Sequence, residues 1–131
     1  MNIIFHGLFI GSLIVTSYRS VPSQTDQTPY HTSTNERVSP DGVAISRDLL
    51  CGACRKAHKR CGHPEYRKKL HYGDWVYIEE VGFKRVFDCM NKRHKNRADV
   101  WVRSFKDEKA FHKKFGHKKL KVWVLKGINA R

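Results

Sequence analysis

The stretch from Tyr72 to Lys126, YGDWVYIEEVGFKRVFDCMNKRHKNRADVWVRSFKDEKAFHKKFGHKKLKVWVLK, decides the fold. Trp75 to Glu80 and Phe83 to Asp88 are aromatic and β-branched and are separated only by Val81 and Gly82, so they read as two paired strands. Asp99 to Arg103 reads as a third strand. Ser104 then offers a side-chain cap, with Asp107 at the capping-box spacing. Ala110, Phe111 and Phe115 share one helical face, and Gly116 ends the helix. Leu120 to Leu125 begins by alternating apolar residues with lysine and makes a terminal strand. The pattern predicts a mainly β domain with one short helix before its last strand.

Upstream, Pro40-Asp41-Gly42 is a turn signal followed by the short apolar piece VAISRDLL, and residues 51–70 form a cysteine-rich basic insert. Residues 21–39 are rich in Ser, Thr, Gln, Asn and Pro without apolar periodicity, as expected of a disordered linker. Residues 1–20 carry an apolar run from Ile3 to Val15 and no acidic residue, which reads as an export signal or an uncleaved amino-terminal anchor. A buried helix or strand is set behind these because the following segment is too polar to continue a core. The folded domain is therefore expected over residues 40–131. An extracytoplasmic location (periplasm, cell wall or secreted) follows, with membrane contact only through the amino-terminal segment.

The 131 residues suffice for one modest domain, and 26 Lys+Arg against 12 Asp+Glu give a net charge of +14. Such a surplus attracts polyanions as a class without naming one. Its basic residues gather in the insert, between Lys92 and Arg97, and after the helix. Lys56, Lys59, Arg60, Arg93, Lys95 and Arg97 are the candidate contacts to an anionic substrate. Trp75, Tyr77, Trp101 and Trp123 could instead stack nucleic-acid bases on an exposed strand face, but in so short a chain they are expected to be core.

Cys51, Cys54, Cys61 and Cys89, with His63 among them, admit two readings. In an exported protein an even count points to two disulfides, with three pairings open. In a reducing compartment the same residues could hold zinc. Disulfides are expected, with no cofactor; zinc enters only if the cysteines are reduced, and then supports a third reading, an intracellular zinc-stapled nucleic-acid-binding protein.

The ordered set Gly73, Val76 and Ile78; Gly82; Asp88; Asn96, Arg97 and Asp99; Ala110, Phe115 and Gly116; Val122, Val124 and Leu125 resembles the three-aspartate domain of bacterial cell-wall proteins. VAISRDLL resembles the family's first strand and extends the likeness to Val43. The resemblance implies a six-stranded double-psi β-barrel, the fold of membrane-bound lytic transglycosylase A, expansins and barwin. It further implies action on peptidoglycan or another anionic polysaccharide. In that chemistry one carboxylic acid protonates the glycosidic oxygen, and the sugar's own 6-hydroxyl closes on the anomeric carbon to give a 1,6-anhydro product. Asp99 matches the proposed acid and base, and Asp88 its neighbour. Ser46 stands where the family commonly has its first aspartate, with Asp48 two residues on and on the same side if that piece is extended. Cys89-Met90-Asn91 replaces the frequent Thr-Gly-Gly. A non-catalytic, expansin-like barrel that binds wall polymer is the alternative.

Overall fold

The computed structural model describes residues 7–19, 40–50 and 70–125. They form six strands and one helix: β1 (Gly7–Tyr18), β2 (Gly42–Ile45), β3 (Trp75–Ile78), β4 (Gly82–Cys89), β5 (Arg97–Trp101), α1 (Phe105–Phe115) and β6 (Lys119–Leu125). The strands close into a barrel in the order β1-β5-β2-β4-β3-β6. Two of its seams, β1 with β5 and β2 with β4, are parallel; the others are antiparallel. A mainly β, closed six-stranded barrel with one helix before the final strand is the expected class.

Alternation along each strand sends one set of side chains inward. Leu13 and Val15, Val43 and Ile45, Val76 and Ile78, Ala98 and Val100, and Leu120, Val122 and Val124 fill the interior. Full burial of side chains of this kind contributes about 1.5–3 kcal/mol each, which is what holds so small a barrel closed.

The sixth strand comes from outside the expected domain. The run read as an export segment supplies β1, and Leu13 and Val15 are fully buried in the core. The folded unit therefore includes Gly7–Tyr18 and is not confined to the residues after Pro40. The physical reason lies in Leu13-Ile14-Val15-Thr16-Ser17-Tyr18, whose β-branched residues and period-two burial suit a strand that closes a barrel. β1 is also the longest strand: its first half pairs with β6 and its last five residues with β5.

VAISRDLL is not extended throughout. β2 ends at Ile45, and Arg47–Leu49 turn into a short 3-10 segment. Leu50 then forms a parallel bridge with Leu70, both buried, so the two ends of the insert are held together at the core. Its interior, with Cys51, Cys54, Lys56, Lys59, Arg60, Cys61 and His63, lies outside the described residues, as do residues 20–39. Cys89 is disulfide-bonded.

The remaining elements follow their local signals. The turn between β3 and β4 uses positive φ at Glu80 (65°) and at Gly82 (111°), where a glycine relieves the strain that a Cβ would meet. Ser104 Oγ accepts from the Asp107 N–H at 3.1 Å, capping α1, and Gly116 ends it at φ 54°. The helix packs against β1 and lays Phe111 and Phe115 on the barrel core.

Candidate functional site

The site is built on the outer wall of the barrel. In-register partners point to the same side of a sheet, and the register runs Asp88 on β4, Ala44 on β2, Asp99 on β5 and Thr16 on β1. Ala44 lies between the inward-facing Val43 and Ile45, so this whole row faces outward. Two residues further along, Tyr18 pairs with Trp101, and these two with Ala44 and Met90 form a small apolar cluster separate from the barrel core.

Asp88 reaches the row through an irregularity. Val86 opposes Val43 and points inward, and on a regular strand Asp88, two residues on, would point inward too. Instead the register shifts between Val43 and Ala44, so that Phe87 is the extra residue and Asp88 opposes Ala44. The bulge turns Asp88 to the outer face beside Asp99. An Asp88 carboxylate oxygen accepts from the Cys89 N–H at 2.8 Å, which fixes its direction.

Asp99 is half-buried, and Thr16 Oγ1 donates to its Oδ1 at 2.9 Å. Burial pushes its carboxyl up from 3.8 to about 6, against the Thr16 hydrogen bond and the Arg97 charge; Glu108 and Asp88 add to the rise. The Tyr18 hydroxyl is held neutral far above the usual range by burial and by the same two aspartates. Glu108 comes from α1, where Arg19 Nε holds its Oε1 at 3.1 Å. Thr16, Glu108, Phe111 and His112 line a cleft of about 760 Å³ between β1 and the helix; neither Asp99 nor Asp88 lines it, and its link to Asp99 is the Thr16 hydroxyl.

Other expected residues fall elsewhere. Ser46 is fully buried; its N–H donates to the Arg97 carbonyl and its Oγ accepts from the Arg97 N–H, both at 3.0 Å. Asp48 accepts from the Asn96 N–H at 3.0 Å, in a turn where Asn96 takes φ 53°. These two side chains therefore shape the corner from which β5 departs, and neither is among the residues that act on Asp99. Arg93 and Lys95 are exposed on the loop before β5. Arg97 starts β5, with its Nη1 3.4 Å from His94 Nδ1 and its Nε enclosed without a hydrogen-bond partner among the described residues. No ion pair joins Arg97 to Asp99 among the described residues.

Thr16, Tyr18 and Glu108 are not among the residues that the sequence marks as candidates. Reading residues 1–20 as a leader removed the first two from consideration, although the outward period of Thr16 and Tyr18 against Val15 was visible. Nothing local distinguishes Glu108 from its charged helical neighbours. Trp75, Tyr77 and Trp123 also lie on the outer face rather than in the core, and only Trp101 is buried.

The described residues contain no cluster of three or more His, Cys, Asp or Glu able to hold a metal ion. No family model matches the chain, and no curated protein matches its sequence.

Proposed function

We propose that the protein is an exported barrel that cleaves the glycan strands of peptidoglycan in the manner of a lytic transglycosylase, with Asp99 as combined acid and base. The observation that carries this reading is the Asp99 carboxyl itself, enclosed on the barrel wall beside Asp88 with its acidity weakened to about 6. At pH 7 about a tenth of such a group is protonated, against about a thousandth for an ordinary aspartate. It can therefore donate a proton and, as the carboxylate, take one back.

Thr16 occupies Oδ1, which leaves Oδ2 to carry the reacting proton. That proton passes to the glycosidic oxygen as the anomeric C–O bond breaks. The carboxylate then accepts the proton of the sugar's 6-hydroxyl as that oxygen bonds to the anomeric carbon. One residue suffices for both transfers, unlike the paired carboxylates of hydrolytic glycosidases. Asp88 adds a small repulsion to the burial that raises Asp99, while Arg93, Lys95 and Arg97 offer charge to the acidic groups of the wall. The Cys89 disulfide supports an oxidising compartment. In this reading β1 stays on the mature protein, since cleavage near residue 20 would remove it.

The test uses the full oxidised chain with purified peptidoglycan, followed by mass analysis of released fragments. Anhydro-muropeptides from the parent, and none above background from Asp99→Asn, are expected. A parent that sediments with peptidoglycan but releases nothing would assign the barrel to binding alone.

A further inference from the structure

On the side of the barrel away from Asp99, a second row crosses four strands. Phe9 on β1 opposes Trp123 on β6, Trp123 opposes Tyr77 on β3, and Tyr77 opposes Phe83 on β4. Their ring centroids lie 5.6, 6.0 and 5.0 Å apart, so the aromatics form one continuous surface. The row faces outward, because Val122 and Val124 on either side of Trp123 are fully buried in the interior. Phe9 is 51% exposed, Phe83 49% and the neighbouring Trp75 41%, an unusual amount of ring surface to leave in water.

Cations border this surface. Arg85 opposes Trp75 in register, and Lys119 and Lys121 lie on the same face of β6 as Trp123; all three are exposed. Glu79 is the nearby acid, and its Oε1 accepts from the Lys121 N–H at 3.2 Å. We propose that this aromatic row is a stacking platform for single-stranded nucleic acid. Flat rings set among positive charges meet both needs of an unpaired strand, whose base faces stack on aromatics while its phosphates pair with Arg and Lys. A neutral sugar chain offers flat faces but nothing for the cations, an acidic glycan carries its charge on side groups rather than evenly along its backbone, and a duplex hides its base faces. Three inter-strand steps span roughly 14 Å, enough for about four stacked bases. The surplus of +14 adds long-range attraction for the same class of ligand.

The test is fluorescence anisotropy of a short labelled oligothymidylate with the full oxidised chain, alongside a duplex of equal length and soluble glycan fragments. Saturable binding that favours the single strand, quenches tryptophan emission and weakens as salt rises is expected. Trp75→Ala and Phe83→Ala, made separately on exposed positions, should each weaken it about tenfold with an unchanged melting temperature. Asp99→Asn should bind as the parent does, which separates this platform from the cleft. Equal affinity for duplex, or aromatic variants that bind undiminished, would leave only charge attraction and overturn the proposal. Glycan binding lost in those variants, without oligonucleotide binding, would overturn it in favour of a sugar platform.

Discussion

Asp99 is a residue whose ionisation the fold resists. Its carboxyl holds its proton to about pH 6 in the barrel and to about 3.8 when unfolded. Between those values the folded state binds more protons than the unfolded one, so stability falls as pH rises through that window. The stabilisation is complete below about pH 4 and gone above about pH 6, and spans on the order of 2–3 kcal/mol. Asp99→Asn should therefore melt higher than the parent at pH 7 and lose that advantage by pH 4, as a pair of thermal melts would show. A variant less stable at pH 7 would mean that the carboxylate is held by the fold rather than merely tolerated. Two neighbours should move the same group in opposite directions. Thr16→Val removes the donor to Oδ1 and should raise the Asp99 pKa, whereas Glu108→Gln removes a repelling charge and should lower it. Carboxyl titration followed by NMR reads both signs directly.

At the level of elements, the bulge in β4 and the strand β1 do the positioning. Deleting Phe87 would place Asp88 directly after the inward-facing Val86, so that regular alternation keeps it opposite Ala44 on the outer face. Such a deletion should lower the melting temperature, because Phe87 is buried, while leaving the titration of Asp99 as in the parent. A chain begun at Pro40 should show no cooperative thermal transition, because it lacks the strand that joins β6 to β5. A sharp melt from that fragment would show that five strands suffice. This element also shows where the sequence was legible and where it was not. β3, β4, the Ser104 cap, Gly116 and β6 all carry local signals that survive folding. The apolar run of Ile3 to Val15 carries none that separates a membrane-bound leader from a buried strand, since both require the same hydrophobicity. Ser46 and Asp48 went astray for a related reason: counting alternate residues presumes an extended chain, and the 3-10 turn at Arg47–Leu49 ends that alternation. The bulge was equally hidden, because only the partner strand reveals which residue is extra.

Across the whole molecule, charge and the disulfide set the conditions under which the barrel works. Reduction should lower its stability by about 2–4 kcal/mol, because the Cys89 bridge cross-links and so restricts the unfolded state. Melts with and without a thiol reductant measure this, and intact mass under non-reducing conditions counts the bridges. Attachment to any polyanion should weaken steeply as salt rises above ~0.1 M, where exposed charges are screened beyond about 10 Å. Co-sedimentation with peptidoglycan across a salt series checks it, and unchanged retention would assign the attachment to apolar contact instead.

The seam between β1 and β6 pairs Gly7 with Leu125, residues from opposite ends of the folded unit. Such a contact cannot form until Leu125 has been made. At about 5–20 residues per second, the first strand waits roughly 6–25 s for its partner to be synthesised. Throughout that interval Leu13 and Val15 have no interior to enter, and the nascent barrel remains an open sheet with two bare edges. Closure is thus a late event governed by loop-closure entropy, which makes this a slow folder for its size. On the export reading proposed above, the same delay leaves the newborn chain soft enough to thread through a narrow pore before it locks.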